Sequence, residues 1–201
     1  DSLNRTVLKN AYSAFMQEYP EIKLSLHTNR SEESYRYMEE GSIDMAYVGL
    51  LRSSKTITCD SYFTEKVVFA CSKNATYGDY VNINDLSIEK CIRFNFNLES
   101  TSWFEKNFQN DDMFFTYVDN LSLYSKELFE DNHWTIVPYY ISQLMISDFD
   151  LTTKTLQSPP ADRRLYSIYR AHNPNNDLVK LFEAFVQNYL SEQYSIKFFS
   201  H

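Results

Sequence analysis

Between Val7 and Val48 the hydrophobic period switches from helical to alternating and back, and that switching constrains the fold more than any single residue does. Val7, Leu8, Ala11, Tyr12 and Phe15 recur at helical spacing until Pro20 closes the pattern, which predicts an amphipathic helix over about 5–18. Ile22, Leu24 and Leu26 then alternate with Lys23, Ser25 and His27, as a half-buried strand requires. Ser31 is placed to cap a second helix with Tyr35 and Met38 on its buried side, and Gly41 stands where a left-handed residue ends a helix at no Cβ cost. Ile43 to Val48 reads as a buried strand. This order of elements is the rhythm of a βαβ crossover onto a mostly parallel sheet, so the chain reads as an α/β protein.

The rhythm restarts in the middle of the chain. Val67 to Cys71 reads as a strand that ends a first sheet, and the polar stretch Ser72 to Asn84 as a connection leaving it. Strands are then expected at Cys91 to Phe94, Met113 to Val118, Trp134 to Val137 (stopped by Pro138) and Leu151 to Leu156. A helix is expected to open near Ser102, where Glu105 completes a capping box, and another over about 121–130 on the stripe Leu121, Tyr124 and Leu128. Pro159 and Pro160 mark a turn, followed by a strand at Leu165 to Tyr169 and a long helix with Leu178, Leu181, Phe182, Phe185 and Tyr189 on one face.

Composition removes several function classes. The 201 residues carry 19 basic against 27 acidic side chains, a net charge of -8, so the basic footprint of a nucleic-acid binder is missing from this segment. At 43% hydrophobic and 23% charged the chain is outside the regime of disorder, and no apolar run is long enough to span a bilayer, so no membrane partner is expected. Cys59, Cys71 and Cys91 are an odd number without motif spacing, and the chain start shows no signal sequence, pointing to a reducing cytoplasm. The glycines, Gly41, Gly49 and Gly78, are too few and too scattered for a phosphate cradle.

Chemistry is sparse. There is no G-x-S-x-G elbow, and His27, His133, His172 and His201 have no partner that spacing would supply. Cysteines far apart and no paired histidines argue against a metal, and no cofactor is expected. Glu32 with Glu33, Glu39 with Glu40 and Asp111 with Asp112 diverge as sequence neighbours and read as solvated faces. The 16 tyrosines and 15 phenylalanines fall mainly on apolar phases and read as core.

The stretch "AFMQEYPEIKLSL" followed by "YRYMEEGSIDMAYVG" resembles the effector-binding domain of LysR-type transcriptional regulators. Phe15, Tyr19 and Pro20 match that family's F-x-x-x-YP helix end, and Gly41, Ile43 and Asp44 match its G-x-ID. "YFTEKVVFACSKN", "NDLSIEKCIRF", "WTIVP" and "RLYSIYR" continue the order more weakly. Asp131, Asn132, His133 and Trp134 depart from the glycines usual before the proline-ended strand.

The resemblance implies a two-lobed fold of the type II periplasmic-binding-protein kind, each lobe a mixed, mostly parallel sheet flanked by helices. Crossings near Ser72 and Asp162 would give a first lobe of residues 1–71 plus 163–201 and a second of 72–162. It also implies a cytoplasmic regulator, not an enzyme, that is homodimeric or larger and touches DNA only through a winged helix-turn-helix not contained in these residues. The effector would lie in the cleft between lobes. Helix N-termini favour an anionic one. The contacts so implied are Ser2 and Ser31 at the helix starts and Arg30 as a counter-charge. Topology adds Gly49 and Leu50 after a strand, Asn95 and Asn97 after the first strand of the second lobe, and Asn120 opening its later helix. A free-standing solute-binding protein of a transporter is the alternative on the same fold.

Overall fold

The computed structural model describes residues 2–94, 96–108 and 115–199. Helices are α1 (Ser2–Arg5), α2 (Val7–Glu18), α3 (Ser31–Glu40), α4 (Leu98–Asn107), α5 (Tyr139–Phe149) and α6 (Asn176–Tyr194). Strands are β1 (Met45–Val48), β2 (Ile57–Glu65), β3 (Val67–Ser72), β4 (Tyr80–Val81), β5 (Ile92–Phe94), β6 (Thr116–Val118), β7 (Trp134–Pro138), β8 (Leu151–Leu156) and β9 (Arg163–Arg170). The chain divides into two compact units, Asp1–Thr64 with Arg164–His201 and Glu65–Arg163.

In the first unit β9 lies between β1 and β2, with β1 antiparallel to it. α3 buries Tyr35 and Met38 against Val48, Ile57 and Ile168. α2 meets α6 through aromatic edges: the Phe15 ring lies 4.8 Å from Tyr19, 4.9 Å from Phe182 and 5.3 Å from Phe185. This is why the F-x-x-x-YP segment is aromatic, since such pairs add about 0.5–1.5 kcal/mol beyond their buried area. The G-x-ID segment has a separate logic. Gly41 adopts φ 76 to end α3, and the Asp44 carboxylate accepts amide protons from Asn173 at 3.0 Å and Asn175 at 3.1 Å, holding the loop that leads into α6.

In the second unit the order β4-β8-β3-β7 forms one sheet, and a parallel bridge from Cys91 to Trp134 attaches the β5-β6 pair to it. Alternation sorts the sheet into two faces. Val67, Phe69, Cys71, Trp134 and Ile136 face one cluster with Phe104 of α4, and Ala70, Val137 and Ile92 face the other with Ile141 and Met145 of α5. Burial on both faces explains why these strands read as continuous apolar runs.

Several expectations change. β3 pairs with β7 and β8, so it opens the second unit instead of ending the first, and the first crossing lies at Thr64/Glu65, earlier than Ser72. β2 and α5 were not anticipated. Among the described residues β1–β9, β3–β7 and β3–β8 pair antiparallel and β4–β8 and β5–β6 parallel, so the sheets are mixed with a smaller parallel share than expected. Residues 22–27 form no strand: Ile22 and Leu24 are half-buried and Leu26 is exposed, but alternation does not supply a neighbour to bond. The helix expected over 121–130 is two 3-10 turns, Leu121–Leu123 and Lys126–Phe129. An i, i+3 stripe fits either helix type, and buried Tyr124, in extended backbone between the turns, stops propagation. Asn97, not Ser102, caps α4. Met113 lies outside the described residues.

The two crossings are joined by a buried pair that the sequence did not reveal. Arg163 bonds the Glu65 carboxylate, whose other oxygen accepts the Tyr140 N–H at 2.9 Å in the first turn of α5. The side chains are 5% and 1% exposed.

Candidate functional site

The start of α3 builds the best-defined candidate surface. Arg30 sits before the helix in extended backbone, and Glu33 reaches back to accept its N–H at 2.9 Å. Ser31 is therefore the first helical residue and not the cap, because the acid three positions after Arg30 selects Arg30 for that place. The Ser31 hydroxyl instead accepts the N–H of Gly49 at 3.3 Å. One turn further on the same face, the Tyr35 hydroxyl donates to the Leu50 carbonyl at 3.1 Å and accepts the Arg52 N–H at 3.1 Å. Cys59 Sγ lies 3.5 Å from the same oxygen. Burial pushes the Tyr35 phenol up to about 12, helped by its contact with Cys59, and burial also raises the Cys59 thiol.

Ser31, Gly49 and Leu50 are thus brought together. Tyr35 and Arg52 belong with them although sequence reading gave Tyr35 only a packing role. The available signal was its position four residues after Ser31. The Arg52 guanidinium lies 5.8 Å from the Tyr35 ring centroid and 3.6 Å from the Glu39 carboxylate. Ser2 opens α1 instead of preceding the first helix, and its carbonyl accepts the Thr6 hydroxyl at 2.9 Å. Asn4 ties this turn to the segment entering α3 by donating to Thr28 Oγ1 at 3.1 Å. Arg30 itself is exposed.

In the second unit Asn97 and Asn120 are local caps. Asn97 Oδ1 accepts the Ser100 N–H at 2.9 Å, and Asn120 Oδ1 accepts both the N–H and the hydroxyl of Ser122 at 2.9 Å. Each amide group keeps its N–H donors for other partners. Asn95 lies outside the described residues.

No cluster of three or more potential metal ligands occurs among the described residues. Ser25 and His27 approach to 2.9 Å, but both are exposed, with no group that orients the imidazole among the described contacts. His133 is buried against the Phe115 ring, 4.1 Å between centroids. Cys71 and Cys91 form no redox pair: they stand opposite Trp134 on its two sides, roughly 9–10 Å apart by strand spacing and beyond disulfide reach. Burial raises Cys71 to about 11 and Cys91 further. No helix among the described residues is long and apolar enough to cross a membrane.

Two α/β units linked by two crossings define a two-lobed α/β class of fold. The family model described as the LysR substrate binding domain matches residues 1–191, and the chain belongs to that family, with its type II periplasmic-binding-like fold. Among solved structures, a full-length BenM variant aligns with TM-score 0.74 at 20% identity, covering 98% of this chain and 67% of that one. The regulatory domain of MetR from N. meningitidis aligns with TM-score 0.69 at 11% identity over 96% and 92% of the two chains. A reduced form of OxyR from N. meningitidis gives 0.73 at 11% identity over 99% and 95%. Such identities carry the fold alone. No curated protein sequence matches the chain. The family is one of regulator domains, which displaces the transporter alternative.

Proposed function

We propose that this regulatory domain senses a small organic effector, anionic in class, through the first turn of α3 and the segment after β1. The effector in turn controls a DNA-binding domain carried on the longer protein. The observation that supports this reading is the Ser31–Gly49 contact: a hydroxyl that accepts from the backbone retains its own proton to donate to an effector oxygen. Arg30, beside it, and Ser2, on the turn tied to Thr28, are candidate contacts of the same unit, and Asn97 and Asn120 of the other. Glu33 already places a carboxylate at the start of α3, so the anionic class is the part of the reading most open to test.

The protein works as a homo-oligomer in the cytoplasm and performs no turnover of its ligand. Three free thiols without a disulfide partner favour a reducing compartment. Burial of Cys71 and Cys91, which raises both thiols, favours a bound effector over oxidation of that pair as the signal.

The experiment is a thermal-shift screen of the chain against organic acids, each matched with its neutral amide, together with amino acids and nucleosides. A ligand specific to the native state raises the melting temperature with concentration. Acids that shift the melt where their amides do not establish an anionic effector. Amides that match their acids establish a neutral one.

A further inference from the structure

We propose that Tyr35 is the positioning residue of the candidate effector site, its hydroxyl fixing with Cys59 the backbone of residues 49–52. The clamp is read from geometry alone, and its consequence for binding rests on the effector reading above. β1 is an edge strand, paired by β9 on one side, and it ends at Val48, so the residues after it have no ladder to continue. Buried or half-buried backbone groups still need partners. One face of α3 provides them: Ser31 Oγ for the Gly49 N–H at 3.3 Å, and the Tyr35 hydroxyl for the Leu50 carbonyl and the Arg52 N–H, both at 3.1 Å.

A phenol has one proton to give and room for two acceptor bonds. With the proton committed to Leu50, the contact of 3.5 Å to Cys59 Sγ requires the thiol to be the donor. Both groups keep their protons at neutral pH, since burial raises each of them. The Tyr35 side chain is 0% exposed, so the hydroxyl is aimed by the core and not by the loop it holds. The loop's conformation is therefore set from α3 and β2, and a change that spares the ring but removes the oxygen releases the loop with the core intact.

Amide exchange followed by NMR on the full chain tests this in the wild type, Tyr35→Phe and Cys59→Ser. Tyr35→Phe is expected to speed exchange at the Arg52 N–H by about tenfold or more while amides of the β1–β9 ladder keep their protection. Cys59→Ser keeps a donor at that place and is expected to leave Arg52 protected. Unchanged exchange at Arg52 in Tyr35→Phe overturns the clamp, and a uniform increase across the sheet reduces Tyr35 to a packing residue. A second readout uses sodium acetate, glutamate and benzoate as probes. Any of them that stabilises the wild type is expected to bind Tyr35→Phe about threefold more weakly or worse, and equal affinity overturns the role at the site. If none stabilises the wild type, the effector reading fails for these carboxylates, and the exchange result decides the clamp on its own.

Discussion

At Gly41 one missing methyl group serves two purposes. The residue holds φ 76, and a Cβ built there would meet Arg170 Nη1 at 2.8 Å. Gly41→Ala therefore combines a left-handed penalty of about 1–2 kcal/mol with displacement of the Arg170 guanidinium. Urea unfolding is expected to show a loss at the upper end of that range. Ser195 is the counter-case, a serine at φ 55 closing α6. Ser195→Gly is expected to gain about 0.5–1 kcal/mol in the same assay, since strain relief exceeds the added chain entropy. Asp131 shows how the turn lacking the family's usual glycines is made: the aspartate itself takes φ 49.

At the scale of elements, the Glu65–Arg163 pair is where the fold is most exposed to damage. The carboxylate neutralises a buried guanidinium and also accepts a first-turn N–H of α5, so it serves the ion pair and the helix end together. Glu65→Gln removes half of a buried pair, a change that costs about 3–5 kcal/mol in comparable cases. A fall in melting temperature of roughly 10 °C or more, read by circular dichroism, is expected.

Which elements were legible follows from the same physics. α2, α3 and α6 each carry an amphipathic period and were visible. β3 and β7 were visible because burial on both faces leaves nearly unbroken apolar runs, whereas β8, "LTTKTL", is apolar only at its two ends. α5 was hidden by Pro138, which reads as a strand stop yet also serves as the N-cap. β2, "ITCDSYFTE", mixes polar and apolar residues, and its burial pattern never settles into strict alternation. Residues 22–27 show the opposite error, since a strand pattern was present but pairing depends on a neighbour that pattern cannot specify.

For the whole molecule, each unit has its own core, and their buried acids with raised pKa values set the response to alkali. Burial is the first cause of the shifts of Cys71 to about 11 and of Tyr35, Tyr77 and Tyr169 to about 12. A group whose folded pKa is raised contributes stability that is complete below its unfolded value and disappears as pH climbs through the folded one. The urea midpoint is thus expected to stay level up to about pH 9, the ordinary thiol value, and to fall between about pH 9 and 12. Retained stability at pH 11 would mean these groups are solvated. The candidate site was legible only in part. Ser31 was reached through the resemblance and Gly49 and Leu50 through topology, whereas Tyr35 escaped notice because its ring is core while its hydroxyl holds the loop.

The central claim is that an effector is recognised through the start of α3. Its most direct test is calorimetric titration of the strongest stabilising compound into the wild type and Ser31→Ala, with circular dichroism showing both folded. Loss of the hydroxyl donor is expected to weaken binding by about tenfold or more, with unchanged stoichiometry. An unchanged affinity in Ser31→Ala would place the effector elsewhere and contradict the account.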